Sequence, residues 1–263
     1  MATSEITNSW FDFALPSVKA SLKSMFADSP EHILAADVFL TSCTISIVLI
    51  GFGLIARAGL NKAMAQKGMD RYHADTGLSA RNIMEMFVSF IDGNAKDNLD
   101  DKTARTFSWL FCGLFIYIFT SNIVGILPGG VPPSQSISNN FAMSLLVLLI
   151  FVGAGVKSQG IGYFTHMAGP VPALYILMFP IELFGAFIVR PASLAVRLAG
   201  NLNGDHTVLG VTYQLSEVIG GTVLPVIALG LGSFVSFIQA FVFTLLTVVY
   251  VALSVHDDHD EHH

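Results

Sequence analysis

The sequence predicts an all-α integral membrane protein with about five membrane-crossing helices, the last two long and strongly tilted, plus one short interfacial amphipathic helix. Three observations carry this expectation. Hydrophobic residues make up 53% of the chain and charged residues only 12%, where a soluble domain carries about twice that charge. The mean hydropathy is +0.65. Apolar runs almost free of charge recur along the 263 residues, each close to the roughly 20 residues that one crossing needs. The net charge of -6 says little about partners, because most of the acid lies in the two tails and in residues 57–105. Cys43 and Cys112 fall inside apolar runs, which reads as packed thiols and not as a disulfide framework.

In chain order, residues 1–33 form a polar, weakly amphipathic tail, with neither a signal peptide nor a transit peptide in residues 1–30. Residues 34–127 hold the first crossing, a polar loop and the second crossing. Val38 to Ala56 is nineteen residues without a charge. Its Gly51-Phe52-Gly53 mimics a dinucleotide fingerprint, but it follows no strand, and that reading is rejected. The loop 57–105 holds eight of the thirteen Lys and Arg. Within it, Ile83, Met84, Phe87, Phe90 and Ile91 recur at spacings of three and four, the pattern of an amphipathic helix too short to span and lying at the interface. An ordinary buried helix of a loop domain is the alternative. Thr106 to Leu127 is the second crossing, again uncharged.

Residues 128–254 begin with a Pro- and Gly-rich turn, Pro128 to Ser138. The third crossing is Asn139 to Val156, ended by Lys157. A Gly-rich connection leads to a long apolar stretch, Pro172 to Tyr213. Those 42 residues would reach about 63 Å as a helix, twice the roughly 30 Å hydrocarbon core, so the stretch either breaks or tilts. Gly220-Gly221 separates it from a last apolar helix, Thr222 to Ser254. Residues 255–263 form an acidic, His-rich tail, read as solvated rather than metal-binding. Eight positive residues in loop 57–105, against none in 128–138 and two in the N-terminal tail, place that loop in the cytoplasm. The N-terminus is then outside and the C-terminus inside.

Between Thr106 and Ser254 only six residues are charged: Lys157, Glu182, Arg190, Arg197, Asp205 and Glu217. Charge inside a membrane costs several kcal/mol and marks function by default. Lys157 sits at a membrane edge, and a tilt of the long stretch would let Arg190 snorkel. Arg197 lies near the middle of the long stretch and keeps its proton. Ser193, Arg197, Gly200 and Gly204 follow spacings of four, three and four, so they share one face, with Asn201 close beside. Small residues on that face let a partner helix approach, and one permanent cation among them suits a partner carboxylate. Pairing of Arg197 with Glu182 or Asp205, merely to hold helices together, is the alternative. His206, nine residues on, turns about 180° away and about 13 Å further along, back into the chain's own bundle. Glu182 lies to the inner side of Arg197; Asp205, His206 and Glu217 lie to the outer side. Gln239 is the amide of the last helix, expected to bond across helices.

RPASLAVRLAGNLNGDH (190–206) and IQAFVFTLLTVVY (238–250) resemble subunit a of the F-type ATP synthase, the stator of its membrane motor. SNIVGILP (121–128), GIGYFTH (160–166) and PIELF (180–184) add to the likeness, which covers roughly residues 80–252. The resemblance implies that Arg197 is the essential arginine, Asn201 its nearby asparagine and Gln239 the glutamine facing it. Glu182 would lie on the cytoplasmic access path and Asn122 in the outer one, and residues 128–254 would be the proton-translocating core. His206 stands where many members have Glu and others His. Members with His often carry a Glu where this chain has Gly232, which leaves Asp205 or Glu217 to replace that carboxylate.

The implied partners are a c-subunit ring with Ser193, Gly200 and Gly204 facing it, b-type peripheral stalk subunits, other ATP synthase subunits and the lipid bilayer. A rotor carboxylate crosses lipid only when protonated, is ionised beside Arg197, and so couples proton flow to rotation. With no nucleotide motif, the chain is expected to be a non-catalytic subunit needing no cofactor, metal or nucleic acid. A bacterial inner membrane is the expected location, with an organelle-encoded protein as the alternative. A secondary proton-coupled transporter would show internal repeats, and none are visible. An intramembrane hydrolase using His206 and Asp205 would need a metal-ligand or nucleophile motif that is equally absent.

Overall fold

The computed structural model describes residues 9–25, 30–64, 79–127, 130–160, 163, 175–219, 221 and 223–255. The tail 1–33 contains two short helices, α1 (Trp10–Ala14) and α2 (Pro16–Met25), and α3 (Pro30–Met64) starts inside it. Then come α4 (Ala80–Lys96), α5 (Asp101–Ile126), a 3-10 turn at Pro133–Gln135 and α6 (Ile137–Gln159). The long stretch is α7 (Tyr175–Phe184), a π turn (Gly185–Val189) and α8 (Arg190–Ile219), and α9 (Val223–Val255) closes the fold. No strand occurs among the described residues. Five segments are long and apolar enough to cross a membrane: Ala36–Lys62, Asp101–Ile126, Ile137–Gln159, Leu177–Ser216 and Val223–Val255. The chain is an all-α integral membrane protein.

Local chemistry sets the helix ends. Ser79 accepts the Asn82 N–H at 3.3 Å and starts α4; Asp100 accepts the Thr103 N–H at 3.4 Å and starts α5. Both satisfy amides that a helix N-terminus leaves open. Gly160 ends α6 with φ of 63°, a conformation a side chain would resist. The long stretch runs unbroken from Tyr175 to Ile219 and changes pitch only at the π turn. Its 45 residues rise about 65 Å, and the 33 of α9 about 50 Å. Both exceed a bilayer core of roughly 30 Å, so each either tilts or extends beyond it.

Helix α9 is the hub, packed against α5, α6 and α8. The core gathers Phe111, Phe115, Ile118, Phe151, Leu198 and Phe243, all essentially sealed. α4 is the short amphipathic helix. Its Phe87 packs on Phe115 and Phe119 of α5, and its Phe90 packs on Phe115 and on Phe237 and Phe241 of α9. At the other end of α3, Lys19 bridges Asp12 at 2.7 Å and Asp37 at 3.0 Å. Ser9 donates its hydroxyl to the same Asp37 at 2.9 Å. This buried cluster fastens α1 and α2 to the first turn of the first crossing.

Candidate functional site

The charged and amide side chains fall into three groups along α7–α8. Toward the N-terminal end of this stretch, Arg190 donates to Glu182 at 3.0 Å and its guanidinium lies 5.5 Å from the Tyr250 ring centroid on α9. Glu182 therefore pairs with Arg190 and not with Arg197. Arg190 turns back along its own helix to make this bond. Buried Tyr163 lies within electrostatic reach of this pair, and burial pushes its phenol above the usual range, keeping it neutral.

In the middle, α8 buries Leu194, Ala195, Leu198, Ala199 and Leu202, and turns Ser193, Val196, Arg197, Gly200 and Gly204 outward. Arg197 has no hydrogen bond or ion pair among the described residues. Neither an added Cβ at Gly200 nor one at Gly204 would meet anything within 4 Å. The pairing of Arg197 with Glu182 or Asp205, left open by the sequence, is thus absent. Beside it, Asn201 donates its amide to the Gln239 side-chain oxygen. Gln239 itself is buried, with its Nε2 unpartnered, so Gln239 meets Asn201, one turn from Arg197.

Further along α8, His206 faces the bundle, and its buried Nε2 has no partner among the described residues. An added Cβ at Gly125 of α5 would stand 3.2 Å from that nitrogen and 2.8 Å from Pro132 Cγ. Next to this contact lies a sealed polar cluster. Ser134 donates to Asn122 at 2.6 Å, and Asn140 donates to the Ser134 carbonyl at 2.6 Å. Asn140 Oδ1 and Ser121 Oγ remain buried and unpartnered. Buried polar atoms without protein partners are where water binds. Asp205 is half-buried and free of partners among the described residues. The Glu217 side chain lies outside the described residues, as do the tail 256–263 and most of the connection before α7.

Sequence reasoning singled out Asn122 and His206 but missed Ser134 and Asn140. Ser134 sits in a turn full of Pro, where a hydroxyl signals nothing. Asn140 lies in the first turn of a crossing, and an amide inside a membrane helix was the available signal.

The family model described as ATP synthase A chain matches residues 39–252. This chain belongs to that family. Relatives named ATP synthase subunit a agree. The one from Bdellovibrio bacteriovorus is 37% identical over 215 residues, covering 81% of this chain and 89% of its own. That of Aliarcobacter butzleri is 36% identical, over 70% of this chain and 78% of its own. That of Trichlorobacter lovleyi is 32% identical, over 87% and 94%. As a member of the ATP synthase A chain family, this chain is a membrane component of the ATP synthase. It serves ATP synthesis and proton transport, and it works among that complex's other subunits.

Proposed function

We propose that the chain is the stator of the membrane sector, holding two proton half-channels against a rotating ring of c subunits. The single observation that carries this reading is Arg197: a permanent cation, unpaired, on an exposed flank of small residues within a membrane-crossing helix. Such a charge costs several kcal/mol against lipid, so the flank is built for a partner that brings a carboxylate. The rotor carboxylate is ionised beside Arg197 and must be protonated before it turns into lipid.

Protons enter from the outer side past Asn122, Ser134, Asn140, His206 and Asp205, or Glu217. They neutralise the rotor carboxylate, travel with the ring, and leave past Glu182. Arg197 repels a proton attempting the direct route between the half-channels, while Asn201 and Gln239 hold its surroundings. Each charge carried across yields about 2.3 kcal/mol per 100 mV. The chain performs no ATP chemistry itself, and b-type peripheral stalk subunits keep it from turning with the ring. Residues 34–127 anchor the protein and residues 128–254 form the proton-translocating core. In a bacterial inner membrane the N-terminus lies outside and the C-terminus in the cytoplasm. The test is purification of the chain in mild detergent from its native membrane. An oligomeric proteolipid should come with it; a chain that transports protons alone, without any ring, would end this reading.

A further inference from the structure

Glu182 and Arg190 are eight residues apart, a spacing that a regular helix does not bring together. Eight steps of about 100° leave side chains roughly 80° apart around the axis. The π turn between them, Gly185–Val189, adds one residue to a turn and takes back about 100°. Both side chains then lie on nearly one face, and Arg190 Nη2 reaches Glu182 Oε1 at 3.0 Å. The guanidinium is fixed from a second side by Tyr250 of α9, 5.5 Å away at the ring centroid. Tyr250 in turn packs on Phe151 of α6, with centroids 5.9 Å apart. Three helices and a rare change of pitch converge on one carboxylate, which still exposes about half of its side chain.

We infer that Arg190 is a positioning residue for proton exit, holding the Glu182 carboxylate in place at the inner mouth of the path. The inference rests on the proposed role of Glu182 as the exit group. One consequence makes the arrangement useful. Only one carboxylate oxygen is bonded among the described residues, so the other can exchange a proton with water. Among the described residues Lys157 is exposed on the last turn of α6, and burial keeps Tyr163 neutral.

The experiment measures ATP-driven proton pumping and passive proton conduction in vesicles holding the complete complex, each normalised to assembled chain and ring. Glu182→Gln and Arg190→Gln should each slow conduction roughly three- to tenfold, the scale of a misplaced reacting group. The double variant should be no slower than the slower single one, because both act through one carboxylate. Arg190→Lys should recover at least half of the rate, since it keeps a donor for Glu182. Tyr250→Leu, which keeps both charges and removes the ring beneath the guanidinium, should give a smaller loss of the same kind, and it carries the test where Arg190→Gln does not assemble. Normal conduction by Glu182→Gln would overturn the exit reading and this inference with it. A slow Glu182→Gln beside a normal Arg190→Gln, or a double variant losing the product of both single effects, would overturn the role of Arg190 alone.

Discussion

A guanidinium does not lose its proton in proteins, so Arg197 is positive throughout any transport cycle, and its exposed, unpaired placement leaves that charge for a partner. In the proposed stator role, replacing it with alanine would remove both the attraction for a rotor carboxylate and the barrier between half-channels. Arg197→Ala should therefore abolish coupled ATP synthesis while passive proton leak persists or rises, measured in vesicles of the complete complex. Arg197→Lys should retain less than about a tenth of the synthesis rate, because an ammonium is a point donor and can deprotonate when buried. The surroundings of His206 present a different question. Gly232 carries no carboxylate, and His206 Nε2 stands unpartnered near Gly125. Of the two acids left to serve, Asp205 is half-buried on the same helix and bonded to nothing described. Asp205→Asn should slow proton uptake at least about tenfold, and Glu217→Gln distinctly less; the reverse order in a proton-pumping assay would assign the role to Glu217.

At the scale of a helix, α8 has two faces with opposite tolerance for bulk. Gly200 opens on empty space, where an added Cβ meets nothing within 4 Å, so Gly200→Leu should spare the chain's own packing but block the partner helix proposed to come close. We expect unchanged thermal stability of the detergent-solubilised chain and at least about a tenfold loss of ATP-driven proton pumping. Gly125→Ala is the converse. Its new methyl would stand 2.8 Å from Pro132 and 3.2 Å from His206, and overpacking of this kind costs about 1–3 kcal/mol. Both stability and conduction should fall. The outward face of α8 was legible because spacings of three and four survive in any regular helix: Ser193, Arg197, Gly200 and Gly204 could be grouped from residue numbers alone. The pairing of Glu182 with Arg190 was not, because a π turn depends on backbone hydrogen-bond register and leaves no mark in composition. The Asn122–Ser134–Asn140 cluster was hidden for another reason. Its members lie on three elements joined by a turn, and only the folded path brings them together.

For the whole molecule, the five crossings were visible because long apolar runs are a property of composition, and the helices overrun most of the expected segments, α3 by eight residues at each end of Val38–Ala56. What composition could not disclose is the closing contact at the start of the chain, where buried Lys19 sits between Asp12 and Asp37. Burial alone would lower the Lys19 pKa, but hydrogen bonds to Asp12 and Asp37 outweigh it and hold the ammonium above its ordinary value of 10.5. A raised value in the folded state means the contribution is full below 10.5 and is lost as pH climbs through the folded value. Hydrogen-exchange protection of residues 10–25 should therefore persist to about pH 10.5 and then collapse, and Lys19→Met should lack it at neutral pH. The same contact fixes α1 and α2 to the side of the membrane where α3 begins, which turns orientation into a measurable property. Eight positive residues in 57–105 against two in the N-terminal tail place the two regions on opposite sides. With Cys43 and Cys112 changed to serine, a single cysteine introduced as Ser21→Cys or Asn98→Cys reports each side, both positions being exposed. In intact cells a membrane-impermeant maleimide should label Ser21→Cys and spare Asn98→Cys, and inverted vesicles should give the opposite pattern. Labelling of Asn98→Cys in intact cells would reverse the orientation and, with it, the direction in which protons pass from His206 to Glu182.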